Sequence, residues 1–466
     1  MLAVLCLVLF LDGLDVSMVG VALPSIGTEL GLSTSSLQWI VSGYVLGYGG
    51  LLLLGGRTAD LLGRRRVFLI ALAVFAVASL LGGLVDSGPL LIASRFIKGV
   101  SAAFTAPTGL SIITTTFAEG KARNKALSIY TVFGASGFSS GLIFGGLMTG
   151  LGWRWTFLFP VPIAIIALIA GLALLPKDRP ADEGGHDLLG AATLTAGMLL
   201  LVYTVVSAPE AGWTDPLTLG SFVLAAALLT AFVVVERRVK HPLVRLGILR
   251  NGSIIRANLG IIALFGSYLS FQFILTLYLQ SVLHWSPLEM ALALLPAGLL
   301  VVVSAPFAGG FIDRFGTPRL IIAALVALSF GYVLFLGTDA HPEYLTAILP
   351  SVLLLGVGFA LGFPAINVQA TTGVDDSEQG LAAGLVQTSM QVGAALVLAV
   401  TTALVAGDDA MESHTPAEML EQFRPGLVLV TVVALVGLAL TLGPLLARRR
   451  RVEPVLAEIE DVSNVT

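Results

Sequence analysis

Four ionisable residues stand inside stretches that are otherwise apolar. Asp12 and Asp15 lie in "LDGLDVSMVGVALP", residues 11–24, and Arg95 and Lys98 open "RFIKGVSAAFTAP", residues 95–107. Within each pair the separation is three residues, which places both side chains on one face of a helix. One helix therefore offers a doubled negative charge and another a doubled positive charge. Two carboxyls a turn apart raise each other's affinity for protons, and a nearby cation lowers it; the balance decides whether a proton can be held and released near neutral pH. That is proton-exchange chemistry. The same four residues can instead form a static ion-pair network that locks two helices together, and the two readings are compatible. No other acid lies deep in an apolar run: Glu289 sits near the start of one and Glu236 at the end of another.

Other chemistries find little support. The five histidines, at 186, 241, 284, 341 and 414, lie between apolar runs or at their ends, and no metal-ligand spacing appears, so neither a bound metal nor a membrane enzyme is expected. No G-x-x-x-x-G-K-[ST] is present for nucleotide hydrolysis. The expected energy source is a proton gradient, with no cofactor. The single cysteine, Cys6, excludes an intrachain disulfide and reads as a packing residue. A substrate path could be walled by Phe271, Phe273, Tyr278, Phe359 and Phe363, with Gln272, Gln280, Asn367, Gln387 and Gln391 as polar contacts. Packing or lipid-facing duty is equally open to the aromatics, whereas an amide left unsatisfied in hydrocarbon is costly.

Composition names the solvent in which these residues must be positioned. Hydrophobic residues make up 56% of the chain and charged residues 12%, against about 25% charged in soluble domains, and mean hydropathy is +0.95. A bilayer is implied, with membrane lipids as neighbours. With a net charge of −4 and no strongly basic tract to break the pattern, nothing points to nucleic acid. Since a membrane-crossing helix takes about 20 apolar residues, the punctuation of the sequence predicts fourteen. They cover 2–24, 37–55, 67–85, 89–115, 126–149, 154–175, 188–207, 217–236, 254–281, 287–309, 319–337, 346–368, 381–406 and 426–446. The first has the length of a signal-peptide core but no convincing cleavage site, and reads as a retained helix. The chain starts almost inside it, which leaves room for a short polar leader upstream.

All but four of the 25 Lys and Arg fall in the loops after helices 2, 4, 6, 8 and 10 or in the C-terminal tail, including Arg448 to Arg451. The positive-inside rule makes those segments cytoplasmic, and with them both termini of a multi-pass protein of the cell membrane. The opposite loops hold Arg154 and Arg424 and are acidic at Asp408, Asp409 and Glu412. One loop departs: "GVDDSEQG", 373–380, is acidic on the side predicted to be cytoplasmic.

An internal repeat organises the spans. Gly56, Asp60, Gly63 and Arg66 of "GRTADLLGRRR" align with Gly309, Asp313, Gly316 and Arg319 of "GGFIDRFGTPR", each time at an offset of 253 residues. Both copies follow the second helix of a six-helix group. Such turns are often Gly-rich and basic, which accounts for the arginines but hardly for the matched Gly-x-x-x-Asp-x-x-Gly. The expected division is a six-helix bundle over 1–176, a linker region with two extra helices over 177–250, a second bundle over 251–447 and a tail over 448–466. Parallel repeats of this kind place substrate between the halves near the bilayer midplane. Glycines at 134, 137, 141, 145, 146 and 150 give helix 5 a stripe that lets another backbone approach closely.

Several stretches resemble the major facilitator superfamily, and within it the fourteen-helix drug:proton antiporter branch. "GGRTADLLGRRR" resembles the superfamily's loop between helices 2 and 3. "LDVSMVGVALP" is similar to the branch's first-helix motif L-D-x-T-x-V-N-V-A-L-P, with Gly20 in place of Asn, and "RFIKGVSAA" to R-x-x-Q-G-x-G-A-A, with Lys98 in place of Gln and Ser101 in place of Gly. "GFSSGLIFGG", 137–146, resembles the antiporter motif G-x-x-x-G-P-x-x-G-G, with Leu142 where Pro is expected. "WRWTFLFPVP" and "YLQSVLHWSPLEMALALLPAGL" are also similar to that branch. The resemblance implies an all-helical membrane fold of two six-helix halves plus two central helices. It implies proton-driven export of a small hydrophobic or cationic drug or antibiotic, by a protein acting as a monomer. A dedicated exporter of one metabolite fits the same motifs; solute uptake fits them less well. Asp15 and Arg95 would serve coupling. Gly56, Asp60, Gly63 and Arg64, with Asp313 and Gly316, would form a cytoplasmic gate, and Gly137, Gly141, Gly145 and Gly146 a hinge or seal. Asp12 and Lys98 both depart from the branch pattern and cancel in charge, so they are expected to pair across the contact of helices 1 and 4.

Overall fold

The structure is a computed structural model. It describes residues 1–117, 121–176, 188–239, 247–248, 251–338, 342–372, 374, 379–405 and 416–463, and among these the regular structure is entirely helical. Fourteen long helices follow one another: α1 Leu2–Leu30, α2 Thr34–Leu62, α3 Arg64–Leu84, α4 Gly88–Thr116, α5 Lys121–Leu151, α6 Trp155–Leu174, α7 Leu188–Ala211, α8 Pro216–Glu236, α9 Gly252–Val282, α10 Pro287–Phe315, α11 Thr317–Leu336, α12 Tyr344–Thr371, α13 Gln379–Val405 and α14 Pro416–Ser463. Thirteen are long and apolar enough to cross a membrane; α2, of 29 residues, is the remaining member of the series. Each matches one predicted span. The ends differ: α1 runs past Pro24 to Leu30, and α14 starts at Pro416 and carries its helical backbone through the predicted tail to Ser463. The acidic stretch 408–412 and most of 373–380 lie outside the described residues.

Local sequence explains where helices begin and turn. Ser33, Asp215 and Asn251 accept backbone N–H groups at the starts of α2, α8 and α9, and Ser286 with Glu289 forms a capping box on α10. Single residues, Gly63 and Gly316, join α2 to α3 and α10 to α11 with φ of 93° and 77°. That backbone conformation is open to glycine and strained for other residues, which is why these positions match in the repeat.

The repeat governs packing as well. In the first group α1 packs on α5, α2 on α4, and α3 on α4 and α6; in the last six helices α9 packs on α13, α10 on α12, and α11 on α12 and α14. Between the groups the main contacts are α5 with α10 and α2 with α13. The extra helix α7 lies against α2 and α13, and α8 leans on α7 with most of its surface exposed. Apolar side chains cover the outer surface, among them Ile165, Ile166 and Ile169 on α6 and Val223 and Leu224 on α8. At the face away from the repeat turns, Arg154 pairs with Glu29 and Asp86 and lies over the Trp153 ring, 4.4 Å from its centroid.

Candidate functional site

Glycine brings the charged helices together. On α5, Gly137 and Gly141 lie against the backbone carbonyls of Phe10 and Leu14, and a Cβ at Gly145 would stand 2.9 Å from Met18 Cα. On the other pair, Gly47 and Gly55 of α2 face the carbonyls of Phe96 and Ala103, while Gly99 of α4 faces that of Tyr44. Any side chain at these positions would push the helices apart. Gly146 points elsewhere, toward Leu288 and Ala291 of α10, across the boundary between the groups. The α5 stripe is thus the seat of α1, the helix that carries both aspartates.

Asp15 is completely buried, and its two carboxylate oxygens take one cation each: Oδ2 accepts from Arg95 Nη1 and Oδ1 from Lys98 Nζ. Arg95 Nε also donates to the Ile40 carbonyl at 3.1 Å, and its guanidinium lies 4.7 Å from the Tyr44 ring centroid. Lys98 Nζ stands 4.8 Å and 5.2 Å from the centroids of Phe75 and Phe157. Such contacts stabilise a cation more when water is excluded.

The expected pairing of Asp12 with Lys98 is not what the helices make. Lys98 is taken by Asp15, and Asp12 Oδ2 instead accepts from the Thr105 hydroxyl at 3.2 Å. The reason is register. Sequential helices here run antiparallel in alternation, so the turn that leads back from Asp15 to Asp12 on α1 leads forward on α4 from Lys98 toward Thr105. Both cations converge on the acid level with them, and the other acid meets a hydroxyl.

The residues expected to form a gate occupy two different settings. Gly63 and Gly316 make equivalent turns, as described above. Around the first copy, Arg65 Nη2 donates to the Leu172 carbonyl at 2.6 Å and Gly56 faces Pro107 of α4. Around the second, Asp313 is exposed and Gly309 faces open space. Arg64 is half-buried at the start of α3. The side chain of Asp60 lies outside the described residues.

The proposed substrate contacts do not form one set. Gln272 lines a narrow, largely apolar cleft with Leu142 of α5, Tyr268, Phe271 and Leu275 of α9 and Leu294 of α10. Its Oε1 is buried without a hydrogen-bond partner, as is that of Gln387. Phe271 reaches the cleft edge but is wholly buried, with Tyr332 and Phe335 at ring distances of 4.9 and 5.1 Å. Gln280 Nε2 donates to the Val21 carbonyl at 2.8 Å and contacts Met290 Sδ at 2.9 Å, so it ties α9 to α1 and α10. Asn367 Nδ2 donates to the Phe363 carbonyl one turn back on α12. Phe363 stacks on Phe359, which leans on Tyr268 at 5.0 Å. Gln391 is buried where α13 meets Gly49 of α2. Two features escaped the sequence reading: Tyr268 in the cleft, one turn from Gln272, and, joining α13 to α9, the Ser389 hydroxyl donating to Asn258 Oδ1 at 2.6 Å. The four-residue spacing of Tyr268 and Gln272 was the available signal.

Two helical groups repeated in parallel, with a charge cluster inside the first and a largely apolar cleft between them, are the architecture of a membrane transporter of small molecules. The model of the Major Facilitator Superfamily matches residues 5–398, and the chain belongs to that family. It is 40% identical to the puromycin resistance protein of Streptomyces alboniger over 84% of this chain and 79% of the relative. It is 36% identical to the cephamycin export protein of Amycolatopsis lactamdurans over 96% and 93% of the two chains, and 34% identical to the lincomycin resistance protein of Streptomyces lincolnensis over 86% and 82%. Among solved structures it shares its fold with tetrameric PepTSo2 (TM-score 0.68, 14% identity, 96% and 98% covered) and the nucleoside transporter NupG (TM-score 0.67, 14% identity, 94% and 99% covered).

Proposed function

We propose that this protein exports drugs or antibiotics from the cell by proton-coupled antiport. The observation that carries the reading is the cluster of Asp12, Asp15, Arg95 and Lys98, buried between α1 and α4. Ionisable groups are expensive inside a membrane helix and mark ion paths where they occur. The relatives named for puromycin, cephamycin and lincomycin support efflux as the direction. In this reading the bundles 1–176 and 251–447 rock against each other along the α5–α10 and α2–α13 seams, with 177–250 spanning them. Both termini face the cytoplasm, by the distribution of Lys and Arg. The cleft at Tyr268 and Gln272 takes an apolar substrate that offers a hydrogen-bond donor to the Gln272 carbonyl oxygen. The protein works as a monomer, with the proton gradient as its energy source and no cofactor.

A narrower reading, export of one natural product, is favoured by relatives that are each named for a single compound. Everted membrane vesicles distinguish the two. ATP-energised uptake of puromycin, lincomycin, a cephamycin and ethidium is measured with and without a protonophore. Protonophore-sensitive uptake of several compounds supports multidrug efflux, and of one compound the narrow exporter. Uptake that ignores the protonophore contradicts proton coupling.

A further inference from the structure

The two acids of α1 are not equivalent, and their surroundings separate them more sharply than the sequence does. Resting on the antiport reading above, we propose that Asp12 is the carboxylate that takes up and releases the coupled proton, while Asp15 is the fixed counter-ion of Arg95 and Lys98. Three observations carry this. Asp15 is 0% exposed and Asp12 8% exposed, so Asp12 is the more accessible of the two. Both oxygens of Asp15 are occupied by cations, whereas Asp12 receives one hydroxyl hydrogen bond, from Thr105. The third observation is which contacts a proton would break. With both acids ionised, two carboxylates balance two cations. A proton on Asp15 would break both ion pairs at once and leave Arg95 and Lys98, among Phe75, Phe157 and Tyr44, with no carboxylate in direct contact. A proton on Asp12 leaves the Asp15 ion pairs intact, and the Thr105 hydroxyl can turn from donor to acceptor.

The groups around Asp12 come from several helices. α1 supplies Asp15, α4 supplies Arg95, Lys98 and Thr105, α2 supplies Tyr44 and Tyr48, and α5 supplies Tyr130, itself near Cys6. The only cations in this set are the two held by Asp15. The step is a simple transfer: hydronium on one side of the membrane gives its proton to a carboxylate oxygen of Asp12, forming one O–H bond and leaving water. On the other side that bond breaks, and the proton returns to water as substrate loads.

The test has a ligand-free arm and a transport arm, both on the full chain in lipid vesicles. Infrared difference spectra are recorded through a pH titration of the wild type, Asp12→Asn and Asp15→Asn. The carbonyl band of a protonating buried carboxyl should be present in the wild type, lost in Asp12→Asn and kept in Asp15→Asn. In the transport arm, Asp12→Asn should lose ΔpH-driven puromycin accumulation but keep puromycin counterflow, and Asp12→Glu should restore accumulation. Thr105→Val should displace the pH profile and Thr105→Ser leave it in place. If Asp15→Asn does not fold, the Asp12 and Thr105 variants still decide the matter. A band that survives in Asp12→Asn, or ΔpH-driven transport that survives there, overturns the assignment while leaving antiport standing. A wild type in which Asp12 titrates but ΔpH drives no puromycin transport overturns the coupling beneath it, and the role of Asp12 with it.

Discussion

Asp15 balances two cations, and its loss should therefore cost more than a single contact would suggest. Removing one partner of a buried ion pair typically costs about 3–5 kcal/mol, because the other charge is left uncompensated; here two cations lose their contact carboxylate, with Asp12 left as the nearby acid. Asp12→Asn keeps an oxygen that can accept from Thr105 and removes only the charge from that hydrogen bond, a loss smaller than the roughly 1.5–3 kcal/mol of a whole hydrogen bond to a charged group. Thermal unfolding in detergent should therefore fall further in Asp15→Asn than in Asp12→Asn. Equal losses would mean that the two acids share the cations. A double-mutant cycle should likewise find strong coupling between Asp15 and Lys98 and weak coupling between Asp12 and Lys98. Residue types and their three-residue spacing in the sequence were enough to collect the four charges into one site. Which acid met which base depended on the relative register of α1 and α4, and no spacing within either helix contains that.

At the scale of helices, the glycines of α5 set how closely α1 can approach. Gly141→Ala would drive a methyl group into Ser17 Oγ and the Leu14 carbonyl, and overpacking of this kind costs about 1–3 kcal/mol. Gly150, on the same helix, has open space where a Cβ would go. Gly150→Ala should leave the unfolding temperature unchanged or raise it slightly, since alanine favours helix over glycine. The pair of variants separates packing from propensity, and a similar loss at both positions would contradict the seat described for α1. A second comparison concerns the repeat turns. Gly63→Ala and Gly316→Ala should each destabilise by about 1–2 kcal/mol, the cost of a positive φ for a residue with a Cβ, read as a lower unfolding temperature. The helices and their caps were legible in the sequence because apolar length, Pro and Ser/Asp/Asn signals are local. The partners of each glycine were not, because a small residue permits a close approach without naming what approaches.

For the whole molecule, the decisive feature is the seam between the two groups. Ser139 Oγ of α5 donates to the Gly298 carbonyl of α10 at 3.3 Å, and a Cβ at Gly298 would stand 3.1 Å from Ser139 Cβ. Disulfides join Cβ atoms about 3.5–4.5 Å apart, so small adjustments allow a bridge there. With Cys6 replaced by Ala, the pair Ser139→Cys and Gly298→Cys should cross-link under oxidation and abolish transport, with recovery in reductant. Full transport by the cross-linked protein would show that this seam stays closed through the cycle.

Composition, apolar run length and the 253-residue repeat sufficed for a bilayer protein of fourteen helices in two related groups, since each of those properties is written along the chain. The motifs were enough for the family as well. Tertiary structure alone decided that Asp15 takes both cations, that Gln280 ties helices together while Gln272 faces the cleft, and that Phe271 belongs to an aromatic core shared with Tyr332 and Phe335. The physical reason is common to all three. A helix sequence specifies which residues share a face, but the rotation and axial offset of that helix against its neighbours come from packing among many helices at once, and a shift of one turn exchanges every polar partner.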